Sequence, residues 1–172
     1  NITSKLNLSS NNSALVKNFT HSIINQRTNL TSNQSSKLSN DDLTSLGSVM
    51  LTICNNSVGN NNTWDPSFTG QAISIIQNVS SSFANLANST GTLNSSTFQS
   101  FMSSLFKLQK LNGNSNDTNS KKQNEQALVQ AAKAIIDSNI YVLLKNSSIS
   151  SISQTTSLCN FQILSISSNA NS

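Results

Sequence analysis

Charge is what this chain has least of. Asp, Glu, Lys and Arg make up 9% of its 172 residues, where about 25% is usual for a soluble domain. That scarcity excludes disorder driven by self-repulsion. It also excludes the clustered Lys/Arg face that a phosphate backbone requires. The ten basic residues are scattered, Lys121 and Lys122 are the one adjacent pair, and the net charge of +4 reads as a mildly basic solvated surface. No nucleic-acid partner is expected. Histidine occurs once, at His21, too few for a histidine-rich metal site. No run approaches the roughly 20 apolar residues of a membrane helix, so direct membrane insertion by this segment is not expected. Gly-rich phosphate loops, nucleophile elbows and Cys-x-x-Cys pairs are all missing. Apolar residues are scarce without being too few. Leu, Ile, Val and Phe number 45 of 172, above the level of roughly 20% below which disorder becomes the default.

Asparagine and hydroxyl residues supply the missing polarity. There are 28 Asn and 50 Ser plus Thr. Thirteen Asn-x-Ser/Thr sequons result, headed by Asn1, Asn7, Asn11, Asn18, Asn29, Asn33, Asn55, Asn61, Asn78, Asn88, Asn94, Asn116 and Asn146. Chance at this composition gives roughly eight, so the excess is modest. A sequon asparagine carries a bulky hydrophilic glycan only in a secretory compartment and only facing solvent. N-linked glycans would also explain how a chain with so little charge stays soluble.

Two cysteines, Cys54 and Cys159, stand 105 residues apart. In an oxidising compartment a disulfide between them would close a long loop, stabilising the fold by about 4 to 5 kcal/mol in the chain-entropy model. The alternative is a pair of buried free thiols. The opening Asn1-Ile2-Thr3-Ser4 has neither a basic start nor an apolar run, so the chain reads as a mature or internal piece.

Five stretches carry apolar residues at helical spacing, separated by Asn- and Ser-rich linkers. The first runs from about Leu8 to Leu30 with Leu8, Leu15, Val16, Phe19, Ile23 and Leu30 on one stripe. In the second, Ser39 or Asn40 can cap, Asp41 and Asp42 suit the positive helix start, and Leu43, Leu46, Met50, Ile53 and Cys54 share a face. The third opens with Asp65 as cap and Pro66 in the first turn, then Phe68, Ala72, Ile75, Ile76, Val79, Phe83 and Leu86. The fourth starts near Asn94 or Ser95, presents Phe98, Phe101, Met102, Leu105 and Leu108, and ends near Gly113. The fifth starts near Lys122 with Leu128, Ala132, Ile135 and Ile136, and an apolar run from Tyr141 to Leu144 continues it.

The fold class expected is mainly α: a bundle of about five short antiparallel helices over residues 1–145. A Ser-rich linker over 146–172 then leads to one β-strand around Phe161-Gln162-Ile163. A lone strand is not stable by itself, so this one is expected to pair with a neighbouring domain or chain. On helical wheels at about 100° per residue, Asn18, Asn55 and Asn78 lie far from their apolar stripes and Asn94 sits at a helix start. All four are expected to face solvent. Asn29, Asn61, Asn88, Asn116 and Asn146 are the other glycosylation candidates.

Nothing in the chain converges on a reaction. His21 has no nucleophile singled out beside it, and the six carboxylates read as helix caps and surface charges. Asn112-Gly113-Asn114-Ser115-Asn116-Asp117 lacks the Gly and the terminal Glu of a calcium-binding EF-hand loop and reads as a linker. Trp64 is either a partner-binding anchor or a staple at a helix start. No catalytic residue, cofactor or metal is implied, and an enzyme is not expected.

Asp41-Asp42-Leu43-Thr44-Ser45-Leu46, Ala72-Ile73-Ser74-Ile75-Ile76-Gln77-Asn78-Val79 and the later Phe161-Gln162-Ile163 follow an order of helices, Ser-rich passage and strand. That order resembles the helical half preceding the β-sandwich in polycystin-1-like and REJ-module receptor ectodomains, the GAIN arrangement. The resemblance covers residues 40 to 167. It implies an ectodomain module in adhesion, mechanical coupling or ciliary surface structure. No counterpart of the family's autoproteolytic site occurs here, so cleavage does not carry over. The Asn/Ser/Gln bias also resembles proteins of AT-rich protist genomes.

Three classes of function follow. The first is a non-enzymatic extracellular glycoprotein module that assembles with other protein chains at a cell or ciliary surface. The second is a fragment of a receptor ectodomain, and the third an intracellular Asn-rich helical scaffold.

Overall fold

Helices begin where short polar side chains stop the chain from extending backwards. The computed structural model describes residues 13–34, 38–58, 64–90, 92–146, 151–155 and 160–164, and five helices fill most of that span. These are α1 (Ser13–Gln34), α2 (Asn40–Val58), α3 (Ser67–Ser89), α4 (Ser95–Gly113) and α5 (Thr118–Asn146). Ser39 and Asp42 form a reciprocal cap on α2: Asp42 N–H donates to Ser39 Oγ at 3.2 Å, while Ser39 N–H donates to Asp42 Oδ2 at 3.0 Å. Those bonds favour the ionised carboxylate and hold the Asp42 pKa below its usual value. At α3, Asp65 Oδ1 accepts from Ser67 N–H at 3.0 Å. Asn94 Oδ1 does the same for Ser96 N–H at 2.9 Å at the start of α4.

The α5 start departs from expectation. Asp117 caps it, accepting from Asn119 N–H at 3.1 Å, and the helix opens at Thr118, four residues before Lys122. The expected linker is correspondingly shorter, and Asn112 within it is buried. Its Nδ2 donates to Lys121 O at 3.0 Å, and its Oδ1 accepts from Asn124 Nδ2 at 2.9 Å. This amide pair ties the end of α4 to the first turns of α5.

Consecutive helices run antiparallel, whereas the closest packing joins every second helix. Lys17 with Asp65, His21 with Phe68 and Thr31 with Asn78 place α1 parallel to α3. The Thr44–Thr97 hydroxyl contact at 2.7 Å places α2 parallel to α4. Gly47 permits this close crossing, since a Cβ there would stand 3.2 Å from a Phe101 ring carbon and 3.3 Å from Ser100 Cβ. In turn α3 packs on α1, α4 and α5 and touches α2 as well, which makes it the central helix. Its buried arc is accordingly wide, taking in Phe68, Ala72, Ile73, Ile75, Ile76, Val79, Phe83 and Ala87. The stripes expected on α2 and α4 are buried as read, and Phe83 meets Phe101 edge to face at a centroid distance of 5.3 Å.

The first helix corrects the sequence reading. Leu8 lies outside the described residues, Leu15 is 61% exposed, and Phe19, Ile23 and Leu30 are only half-buried. The side chain of Val16 also lies outside the described residues, and among those described the buried ones are Thr20, Ile24 and Thr31, on an arc rotated away from Phe19 and Leu30. The physical reason is position: α1 lies at the bundle edge and docks chiefly on one neighbour, so the most apolar arc does not dictate its orientation. Thr28 and Thr31 hydroxyls donate to the carbonyls of Ile24 and Arg27, at 2.8 and 2.9 Å, which lets threonine enter the seam without orphaned polar atoms.

At the C-terminal end, β1 (Ser151–Thr155) pairs antiparallel with β2 (Asn160–Leu164), in a register that sets Ile152 opposite Ile163. The expected strand thus gains a partner inside the chain, from the tract read as a Ser-rich linker.

Candidate functional site

The sequon asparagines separate by position. Asn18, Asn29 and Asn33 on α1, Asn55 on α2, Asn88 on α3, Asn94 before α4 and Asn116 in the α4/α5 turn are all exposed. Asn146 is the last residue of α5. Asn1, Asn7, Asn11 and Asn61 lie outside the described residues. Asn94 spends only Oδ1 on its cap, so the amide nitrogen that would carry sugar is a different atom from the one that holds the helix.

Asn78 differs from all of these. It is half-buried against α1, and its Nδ2 donates to Thr31 Oγ1 at 3.4 Å, with Thr31 wholly buried. The wheel of α3 alone points Asn78 away from the apolar arc, and α1 covers that direction. Solvent exposure at Asn78 is therefore corrected.

The start of the same seam gathers the aromatic and charged residues noted in the sequence. Lys17 Nζ lies 2.9 Å from Asp65 Oδ2. Donation from Lys17, with further bonds from Ser67, holds the Asp65 carboxyl down at about 2. The His21 ring stacks on Phe68 with centroids 4.6 Å apart. Trp64 is buried, meets Phe68 edge-on and donates from Nε1 to Thr69 Oγ1 at 3.1 Å. Trp64 and Thr69 flank the helix start and are joined by a hydrogen bond, where a staple would use an apolar contact. Trp64 is thus committed to the fold.

Cys54 is a free thiol with no exposed surface, and burial pushes its pKa up to about 12 against a small opposing effect of Lys107. The other half of the expected disulfide, Cys159, lies outside the described residues. Cys54 sits on the inward face of α2 among core side chains.

One groove stands out on the surface. It lies between α4 and α5, has a volume of about 560 Å³, and is floored by Leu105, Leu128, Ala132 and Ile136, with Glu125, Lys133 and Asp137 at its rim. Val129, which also lines it, is 69% exposed. Such a surface suits an apolar segment better than a polar small molecule. Among the described residues no three His, Cys, Asp or Glu side chains gather to hold a metal ion, and no helix is long and apolar enough to cross a membrane. No protein family, curated protein or solved structure compared with this chain matches it.

Proposed function

We propose that the chain is a non-enzymatic, N-glycosylated extracellular module that assembles with other protein chains at a cell surface. The observation that supports it is how asparagines sort between surface and interior. Of the eight sequon asparagines whose exposure is described, seven are exposed and Asn78 alone is half-buried. Of the nine other asparagines so described, four are exposed, and the two fully buried ones, Asn112 and Asn139, belong to this group. Compositional drift toward asparagine has no reason to place sequons outside more often than other asparagines. A glycan does, because it must stay in water.

Assembly is favoured by the apolar groove between α4 and α5. The C-terminal hairpin adds to this, since two strands by themselves are marginal in water and gain from a further strand at an open edge. Pairing of that edge with a neighbouring domain or chain belongs to the proposal.

The test is glycopeptide mapping of the protein isolated from its native source. Glycosidase treatment should leave a mass signature at Asn18, Asn55 and Asn94. Bare asparagine at all three would end the glycoprotein reading and leave the helical scaffold.

A further inference from the structure

We propose that Asn78 is a gate on the docking of α1: a glycan at its amide nitrogen and α1 seated on α3 are mutually exclusive states. The inference rests on the glycoprotein reading and adds a regulated position to it. Glycosylation forms a bond between Asn78 Nδ2 and the anomeric carbon of a sugar activated as its diphosphate. One amide proton and the diphosphate depart. The atom modified is the one that donates to Thr31 across the seam. Thr31 is wholly buried on the α1 face opposite, and its hydroxyl is tied to Arg27 O and Thr28 O. Asn78 is half-buried under α1, so a branched hydrophilic sugar on Nδ2 competes with α1 for the same space.

A second observation bears on how firmly α1 is held. Among the described residues of its docking arc Ile24 is the one wholly buried apolar side chain, set between Thr20 and Thr31, with Ile23 half-buried against the core. Arg27 lies on the same arc, and its Nε is buried without a hydrogen-bond partner. An orphaned donor of that kind is costly, about 1 to 3 kcal/mol in general, and undocking would relieve it by admitting water. The central helix is held more firmly, because its wide buried arc packs into the core on α4 and α5 as well. Thr31 is also the hydroxyl residue of the Asn29 sequon, so the two sequons meet across the seam. Asn29 itself is exposed and tolerates sugar with α1 docked.

Glycopeptide mapping combined with hydrogen exchange tests the gate on protein from the native source. Molecules bearing sugar at Asn18, Asn29, Asn55 and Asn94 should show bare Asn78 and protected α1 amides. Any fraction with Asn78 modified should lose α1 protection by at least about tenfold, with α3 and α4 still protected. Modified Asn78 together with an α1 as protected as in unmodified molecules overturns the gate while leaving the glycoprotein reading intact. Absence of sugar at every sequon overturns both. Steric exclusion can be checked separately with Asn78→Cys in a Cys159→Ser background. Coupling a bulky hydrophilic maleimide should release α1, whereas a small carbamidomethyl group should leave it docked. Retention of α1 under the bulky group also overturns the gate.

Discussion

Replacing Ile24 by lysine tests whether α1 is a detachable element or an integral part of the bundle. Ile24 has no exposed surface. Lysine is the sharper choice over aspartate, because Arg27 one turn further on would pair with a carboxylate and soften the insult. Burial of an isoleucine side chain contributes about 1.5 to 3 kcal/mol, and an unpaired buried charge costs several kcal/mol more. Together these exceed what the described residues of the α1 seam hold, since Thr20, Thr31 and Arg27, whose Nε has no partner, add little. The variant should therefore release α1 and lose nothing further, so its cost is capped at the docking energy of that one helix, on the order of 2 to 4 kcal/mol. Once released, the 22 residues of α1 should melt, because a short helix rich in Asn, Ser and Thr is not stable in water. Circular dichroism at 222 nm should fall by about a fifth of the helical signal, α1 being one of five helices. Hydrogen exchange should become fast over residues 13–34 while Ile75, Ile76 and Phe83 amides stay protected. Ile76→Lys, at an equally buried position of the central helix, should instead abolish the cooperative transition. Loss of the whole helical signal in Ile24→Lys would refute the reasoning, and so would an α1 that stays protected.

Phe101→Ala should cost about 3 to 5 kcal/mol in denaturant unfolding, because its ring meets Phe83 edge-on and fills the space left by Gly47. A loss below about 1 kcal/mol would show that this crossing is not tightly packed. Cys54 should resist aromatic disulfide reagents at pH 8 until the protein unfolds, because burial holds its thiol at about 12, whereas fast labelling of native protein would contradict that burial. Asp65 ionises in the folded state at about 2, below its unfolded value of about 3.9. Its contribution to stability is therefore present above about pH 4 and lost as pH falls toward 2. The pair with Lys17 is about a third exposed, so the contribution stays below about 1 kcal/mol. Lys17→Met should raise the Asp65 titration midpoint seen by NMR, and an unchanged midpoint would remove Lys17 as its cause.

The caps were legible because each is a local event: Ser39, Asp65 and Asn94 bond to N–H groups two or three residues away. Asp117 carries the same signal. Taking Asn112 to Asp117 as a linker hid it, although Asn112 ends as a buried amide pinned to α5. The stripes of α2 and α4 could be read for a related reason. Each faces a core from one side, so its most apolar arc is also its buried arc. On α3 the reading found the main stripe and missed Ile73, buried because the central helix is covered over a wider arc.

Sequence alone determined the number of helices, most of their boundaries, and the inward side of α2, α3 and α4, since capping and 3.6-residue periodicity act within a few turns. Tertiary structure decided which helices are neighbours, and with that the face α1 presents and the covering of Asn78. Those outcomes depend on a second helix arriving from a distant part of the chain. The wheel of one helix holds no record of what packs against its polar side.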